Sequence, residues 1–264
     1  MSEQLTWEVR DDIGWIWINR PKKRNAMTDA MWQDLTQIIH EAVRSGVRVV
    51  IISGRGGSFI AGADILEFES TKATPAAAQA SFASVDNACR AVQEVSIPVI
   101  AAIDGFAIGA GLELAVACDF RLATRSTRFG ITASKLGITP GYAHIARLWN
   151  VVGTAATVDL LMTGRLISAQ EAYAMGILAQ IVENSTDLWE ASAVLGELLV
   201  KRAPLTLSWT KAAVRHLVTE ALLAPIRDDA QEATRCFESD DFRNAVKSFR
   251  EKRPPVFGNQ NRER

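Results

Sequence analysis

Two segments of the chain place small residues where a strand is expected to give way to a helix. The first spans residues 59–65 around Gly62, and the second spans residues 104–113 with Gly109 and Gly111. Small side chains let a ligand approach the backbone, and the first turn of a helix leaves N–H donors unpaired. Two such donors aimed at one oxygen form an oxyanion hole that stabilises a developing negative charge. Glycines at these points can equally serve only to permit tight turns.

One acidic residue, Glu113, lies at the end of the second segment, within the otherwise apolar run 112–117. Burying an ionised carboxylate is costly unless the group is paired, so such a residue needs either a structural partner or a use. The position of Glu113, one turn into a helix that begins with small residues, indicates a role in proton transfer to or from a bound ligand.

Other chemistries lack the motifs that they require. Residues 54–57 resemble a phosphate loop, but no Gly-Lys-Ser/Thr follows them, and neither the dinucleotide motif G-x-G-x-x-G nor the esterase motif G-x-S-x-G is present. The three histidines, His40, His144 and His216, have no paired-ligand spacing such as H-E-x-x-H. We therefore expect no metal ion and no cofactor.

Composition narrows the class of protein further. The chain has 264 residues, of which 48% are hydrophobic, enough for one large domain with a sizeable core. Its net charge of −1 gives no global attraction for nucleic acid or an anionic membrane. Apolar runs are far shorter than the ~20 residues of a membrane span, and no signal peptide is recognised. The odd count of cysteines (Cys89, Cys118 and Cys236) favours a reducing compartment, so we expect a cytoplasmic protein.

The elements that must position these residues follow from hydrophobic periodicity. Strands are predicted over residues 13–18, 47–53, 98–103 and 177–182. Helices are predicted from an N-cap at Thr28 to Gly46, and over 75–94, 110–117, 188–202, 205–219, 221–237 and 241–250. A strand-rich half followed by a helix-rich half predicts an α/β core domain over residues 1–200 and a helical C-terminal subdomain over 201–264.

Together, these segments resemble the crotonase superfamily, the enoyl-CoA hydratase/isomerase family. The resemblance also rests on Asn-Arg-Pro at 19–21, on residues 98–105 and 118–123, on Leu-Met-Thr-Gly-Arg at 161–165, on residues 168–172 and on the tail 249–257. It covers nearly the whole chain. It implies a ββα spiral core with the helical C-terminal subdomain, and an acyl-CoA thioester as substrate.

The resemblance also implies roles for individual residues. The two backbone N–H groups that hold the thioester enolate in this family fall on Ala63 and Ala110, although most relatives carry glycine where Ala110 stands. The first family glutamate falls on Glu113.

The coenzyme A site of the family falls on several parts of this chain. Relatives use the loop that contains Lys22 and Arg24 for the CoA phosphates, and a cleft lined here by Ala26, Ala61, Asp64 and Ile65. Phe249 and Lys252 match residues that relatives contribute to a neighbouring subunit's CoA site. The resemblance therefore implies a homotrimer or a dimer of trimers, with coenzyme A entering only as part of the substrate.

The chain departs from the family at the second glutamate, whose position is Ala133. Alanine cannot exchange a proton, so Glu113 does both proton transfers or the reaction needs only one such group. Nearby polar residues that can compensate are Thr132, Ser134, Tyr142 and His144. The segment around Thr132 is similar to that of decarboxylases of the superfamily that act on malonyl-type CoA, although those carry histidine at the position of Ala63 and tyrosine at that of Pro140.

Hydration of a 2-enoyl-CoA is the leading hypothesis for the function. Decarboxylation of a malonyl-type CoA is the second, and double-bond isomerisation with Glu113 as the one base is the third. A non-catalytic acyl-CoA binder is the alternative from another class. We expect the walls of the acyl pocket to come from residues 66–70, from Phe82 and from residues 138–148, with Tyr142 against the substrate.

Overall fold

The computed structural model describes residues 4–67, 75–221 and 238–255 of the chain. Residues 68–70, most of the predicted helix 221–237 and Cys236 lie outside the described residues. The described part contains nine strands: β1 (Leu5–Arg10), β2 (Ile13–Ile18), β3 (Val49–Gly54), β4 (Val99–Ile103), β5 (Phe106–Ile108), β6 (Phe120–Thr124), β7 (Arg128–Gly130), β8 (Ile167–Ser168) and β9 (Gln180–Val182).

Two sheets form the frame. The larger sheet has the strand order β1-β2-β3-β4-β6-β9, in which only β1 and β2 are antiparallel and every other neighbouring pair is parallel. The smaller sheet has the order β5-β7-β8. Strands β4 and β5 are joined by Asp104 and Gly105 alone, so the chain passes directly from one sheet to the other. The mixed α/β class predicted from the sequence is confirmed.

The sequences of β2 and β3 explain why they lie inside the larger sheet. All six residues of each strand are buried, as expected for parallel strands that are covered on both faces. Alternate residues point to opposite sides: Ile16 and Ile52 belong to one apolar cluster, while Trp15 and Ile51 belong to the other.

Eight α-helices cover the sheets in the described part of the chain. They are α1 (Asp29–Arg44), α2 (Pro75–Glu94), α3 (Ala110–Ala117), α4 (Tyr142–Thr163), α5 (Ala169–Ala174), α6 (Ser185–Val200), α7 (Pro204–Ala221) and α8 (Asp240–Arg250). Helix α1 begins as predicted at Thr28, whose hydroxyl accepts a hydrogen bond from the Met31 N–H at 3.2 Å. Helix α6 packs against β3, β4 and β6.

Helix α4 is interrupted at Gly153, which has φ 74° and ψ 176°. Among the described helices, α4 alone has the length and apolar composition of a membrane span. The break divides it into two segments, each shorter than the ~20 residues that a span needs. Its first segment also carries the buried residues His144 and Leu148, which tie it to the interior of the domain.

The last two helices are attached to the core at different places. The Lys211 ammonium of α7 donates to the Val92 and Ile97 carbonyls at 2.8 and 3.0 Å, and to Asp119 Oδ2 at 2.8 Å. Helix α8 packs against a short 3₁₀ helix, Ala133–Leu136, that borders the site described below. The division into domains 1–200 and 201–264 stays a prediction.

Candidate active site

A cleft of about 700 Å³, counting its open mouth, lies where the two small-residue segments meet. Its walls come from residues 61–63 and Ile65, from Ser81, Phe82 and Val85 of α2, from residues 108–110 and Glu113, and from residues 131–133, Leu136 and residues 138–140. Phe82 and part of the 138–148 region thus line the cleft as predicted. The tertiary fold brings together two segments that are more than forty positions apart in the chain.

The first segment presents the Ala63 amide to this cleft. Gly62 has φ 110°, a conformation that side chains rarely permit. The Met27 N–H donates to the Gly62 carbonyl, and the Asp64 N–H donates to the Met27 carbonyl, both at 2.9 Å. These bonds hold Ala63 from both sides in a parallel bridge with Met27. Within residues 4–67, 75–221 and 238–255, nothing accepts the Ala63 N–H, and Ala63 lines the cleft.

The second segment presents the Ala110 amide in a similar way. Gly109, with φ 54°, precedes α3 and donates its N–H to the Gly130 carbonyl at 2.8 Å. The N–H groups of Leu112 and Glu113 then turn back to the Gly109 carbonyl. The Ala110 N–H has no acceptor among the described residues, and Ala110 lines the cleft. The first turn of a helix favours a negative charge, so this amide suits an anionic oxygen.

The two segments are fixed to each other through Ile60. Its N–H donates to the Phe106 carbonyl at 2.9 Å, and its carbonyl accepts from the Ile108 N–H at 3.0 Å. Gly111 packs directly against the same residue: a Cβ atom on Gly111 would lie 2.3 Å from the Ile60 carbonyl oxygen. A hydrogen at position 111 is therefore required for the observed contact between the two segments.

Glu113 lines the cleft beside Ala110 and is 8% exposed. Its Oε2 atom lies 3.3 Å from Nδ1 of His144, which is 3% exposed and stands in the first turn of α4. Among the described residues, His144 supplies the only polar side chain in direct contact with this carboxylate. The sequence singled out both residues, but their contact depends on how α3 packs against α4.

A chain of polar contacts continues from His144 into α2. Nδ1 of His144 lies 3.2 Å from Nη1 of Arg147, and Arg147 pairs with Asp86 at 2.6 Å and donates to Gln93 at 2.8 Å. Burial opposes ionisation of Asp86, but the contacts with Arg147 and Arg90 together outweigh it, so the pKa of Asp86 lies below its usual value. Burial also raises the pKa of the neighbouring Cys89 thiol far above its ordinary range.

Thr132 also reaches the cleft, immediately before Ala133. Thr132 precedes the 3₁₀ helix Ala133–Leu136, and both residues are half-buried in the cleft wall. No hydrogen bond to the Thr132 hydroxyl is formed by the residues that the structure describes. Ser134 is exposed instead, and its Oγ faces Gly164. Of the two polar residues that flank Ala133, only Thr132 lines the cleft.

The residues predicted to bind coenzyme A are distributed unevenly. Ala61 and Ile65 line the cleft, whereas Asp64 is buried in an ion pair with Arg20 at 2.7 Å and does not line it. The carbonyl of Ala26 accepts from the same guanidinium at 2.9 Å. The pair therefore joins the loop after β2 to the segment that carries the Ala63 amide.

The remaining predicted binding residues lie outside the cleft walls. Lys22 and Arg24 are exposed in the loop after β2, where the Arg24 guanidinium stands 5.2 Å from the Phe106 ring centroid. Tyr142 is half-buried at the start of α4, while Phe249 and Lys252 are exposed at the end of α8. Their contribution to coenzyme A binding stays a prediction.

Two residues of α8 that the sequence analysis did not single out complete the apolar side of the site. Phe242 and Val246 pack against a group of cleft residues, Ala63, Ile65, Phe82 and Ile138. Their i, i+4 spacing indicates a buried helix face, but nothing in that spacing tells which surface the face covers. Among the described residues, no cluster of three His, Cys, Asp or Glu side chains could hold a metal ion.

Comparisons with known proteins indicate one family. Residues 8–260 match the model of a family described as Enoyl-CoA hydratase/isomerase. The chain is 33% identical to a crotonyl-CoA hydratase of Syntrophomonas wolfei over 97% of this chain and 98% of that protein. It is 32% identical to a short-chain-enoyl-CoA hydratase of Clostridium acetobutylicum over 93% and 94%.

Solved structures are similar over the same length. The structure of a methylmalonyl-CoA decarboxylase in complex with 2-nitronate-propionyl-CoA superposes with a TM-score of 0.86 at 25% identity, covering 98% of this chain and 100% of that one. An enoyl-CoA hydratase/isomerase from Pseudoalteromonas atlantica superposes with a TM-score of 0.83 at 27% identity, covering 97% and 100%.

Proposed function

The chain belongs to the enoyl-CoA hydratase/isomerase family, and we propose that within it this enzyme adds water to the double bond of a 2-enoyl-CoA. Its fold is crotonase-like, as the sequence predicted, and it is an acyl-CoA-processing enzyme. The observation that carries the proposal concerns the described residues: one cleft is lined by Ala63 and Ala110, whose amides have no acceptor there, and by one buried carboxylate, Glu113.

In this proposal, the Ala63 and Ala110 amides donate to the thioester carbonyl oxygen. Attack at the β-carbon moves electron density through the α-carbon onto that oxygen, which becomes an enolate. Backbone donors that are already in place stabilise the new charge without reorganisation, and removing one such donor typically costs about 10²- to 10³-fold in kcat.

Glu113 moves the proton. Its ionised carboxylate takes a hydrogen from a water molecule while the water oxygen bonds to the β-carbon. The same carboxyl group then returns that hydrogen to the α-carbon, and the enolate collapses to the 3-hydroxyacyl thioester. Because Ala133 supplies no second carboxyl group, one residue performs both transfers.

Decarboxylation of a malonyl-type CoA is the second candidate, and Thr132 is the observation that favours it. A decarboxylase also forms a thioester enolate, but carbon dioxide leaves in place of water addition, so a second carboxyl group is not required. Thr132 lines the cleft, and its hydroxyl makes no hydrogen bond within the described residues, so in this candidate function it binds the departing carboxylate. A methylmalonyl-CoA decarboxylase is also among the similar structures.

The test is incubation of the purified enzyme with a panel of 2-enoyl-, 3-enoyl-, malonyl- and methylmalonyl-CoA thioesters, with the products read by mass spectrometry. Hydration adds the mass of water, and decarboxylation removes that of carbon dioxide. Isomerisation leaves the mass unchanged, but moves the double bond into conjugation with the thioester and so raises the ultraviolet absorbance. We expect water addition to a 2-enoyl-CoA.

Glu113→Gln is the variant that tests the mechanism, because it keeps the side-chain volume and removes the base. We expect kcat to fall at least about 10²-fold, the usual contribution of a general base, with CoA-thioester binding within about threefold of the parent. Glu190→Gln, on the exposed face of α6, is the matched control and should retain full activity. Equal turnover by the two variants would overturn the role of Glu113, and binding without any turnover would favour the non-catalytic binder.

We further propose that copies of the chain associate in trimers or in dimers of trimers. Large apolar side chains support this proposal, since Leu205, Trp209 and Leu217 of α7 are each more than 70% exposed. Exposed apolar surface of this kind marks sites of protein association.

A further inference from the structure

Among the described residues, His144 is the one polar side chain paired with Glu113. His144 does not itself line the cleft. Its ring is almost completely buried, and both of its short polar contacts involve the same atom, Nδ1. On one side Glu113 Oε2 lies 3.3 Å away, and on the other Arg147 Nη1 lies 3.2 Å away. A ring nitrogen either carries a hydrogen and donates it or is bare and accepts one, so Nδ1 serves only one of these neighbours at a time.

The needs of the two neighbours differ. Arg147 already pairs with Asp86 and donates to Gln93, so its guanidinium does not depend on the imidazole. The buried Glu113 carboxylate accepts no hydrogen bond from the described residues in this geometry, and its one ion-pair contact is with Nδ1 of His144 at 3.3 Å. A buried charge without a donor is costly. An ionised Glu113 therefore favours the ring tautomer that has its hydrogen on Nδ1.

We propose that His144 is a positioning residue for Glu113 in the reaction inferred above. When Glu113 is ionised, Nδ1–H donates to Oε2, which fixes the side chain and leaves Oε1 for the water molecule. Once Glu113 has taken its proton, the neutral carboxyl group no longer needs this donor, so the contact stabilises the ionised form more than the protonated one. His144 thus stabilises the base form of the one carboxyl group that lines the cleft among the described residues, where Ala133 offers no help.

The charges around this pair come from three helices. Helix α3 contributes Glu113, helix α4 contributes Arg147, and helix α2 contributes Asp86, with the un-ionised Cys89 thiol beside them. The opposite charges of Arg147 and Asp86 offset each other. Protonation of Glu113 is therefore the main change in charge next to the imidazole ring. Loss of the Nδ1 donor therefore destabilises the ionised Glu113 carboxylate but not the neutral carboxyl group.

Two substitutions at this position test the proposal through kinetics. His144→Leu fills the volume without a donor, whereas His144→Asn can place an amide near the former Nδ1. We expect His144→Leu to lower kcat about 10- to 100-fold, the range for one hydrogen bond to a charged group, while KM stays within about threefold. His144→Asn should recover most of kcat.

His40→Leu, on the exposed face of α1, is the matched control and should leave kcat and KM unchanged. A folded His144→Leu enzyme with kcat within about threefold of the parent would overturn the proposal. So would a failure of His144→Asn to exceed His144→Leu in kcat.

Nitrogen NMR of ¹⁵N-histidine-labelled enzyme tests the same contact without any turnover, so its outcome is separate from that of the proposed function. At neutral pH, the His144 signal, assigned by its loss in His144→Asn, should show Nδ1 bearing hydrogen. In Glu113→Ala, it should change to a bare Nδ1 that accepts from Arg147. A bare Nδ1 in both proteins would refute the proposal even if hydration is observed. The expected change in an enzyme that hydrates nothing would leave this contact standing and overturn the hydratase assignment alone.

Discussion

Replacing Gly111 by alanine is the sharpest test of how the two amides are held. The added Cβ atom would lie 2.3 Å from the Ile60 carbonyl oxygen and 2.9 Å from Ile60 Cβ. Ordinary contacts of a Cβ atom begin near 3.4 Å, so the segments that carry Ala63 and Ala110 must separate by about 1 Å. Gly111 lies in regular helix and its φ is not positive, so the effect is purely steric.

The size of the effect follows from that displacement. A misplacement of about 1 Å in a catalytic arrangement can cost about 10²-fold in rate, and overpacking of a filled core costs about 1–3 kcal/mol of stability. We therefore expect Gly111→Ala to remain folded at 25 °C, with kcat reduced about 100-fold and the free energy of unfolding lowered by about 2 kcal/mol. Steady-state kinetics on the preferred thioester and urea unfolding followed by circular dichroism measure the two quantities.

Gly14→Ala is the matched control. Gly14 is buried in β2, but a Cβ atom there would meet its nearest neighbour, Val47 Cγ2, at an ordinary 3.4 Å. We expect this variant to keep its kcat. A Gly111→Ala enzyme with kcat within about threefold of the parent would show that the spacing between the amides does not depend on contact with Ile60.

Two further predictions concern stability and reactivity. Lys211→Met leaves two carbonyls and the Asp119 carboxylate without their shared donor. We therefore expect the free energy of unfolding, measured in urea, to fall by about 3 kcal/mol. A decrease below about 1 kcal/mol would contradict the anchoring role of α7. Burial raises the pKa of Cys118 to about 12 and that of Cys89 higher still, so iodoacetamide at pH 8 should label neither thiol in the folded enzyme, and peptide mapping should find both labelled only after denaturation.

Much of the frame could be predicted from periodicity. The strand over 13–18 and the helices over 75–94 and 110–117 have the bounds that the sequence indicated, because each is a run whose apolar pattern fits its buried surface. The predicted strand 177–182 is shorter than expected: it covers only Gln180–Val182, since Ile177 and Leu178 fill the core without pairing in the sheet. The small second sheet was not predicted, because strands of two or three residues carry no measurable period.

Only part of the site could be predicted from the sequence. The glycines and Glu113 could be identified because small residues and a carboxylate in an apolar run are unusual at those places. The contact of Glu113 with His144 and the covering of the cleft by Phe242 depend on which helices pack together, and the break at Gly153 depends on a backbone angle. None of these leaves a local pattern.

The amides of Ala63 and Ala110 belong to the main chain, and this has a consequence for how such an enzyme can diverge. A mutation at either codon alters the shape of the cleft but cannot delete the donor, unless it introduces proline. If the two amides stabilise the enolate as proposed, ordinary substitutions do not remove that stabilisation, whereas exchange of side chains such as those at 113, 132 and 133 can change the reaction. New reactions on thioesters can therefore arise by changing one or two side chains around an unaltered pair of backbone groups.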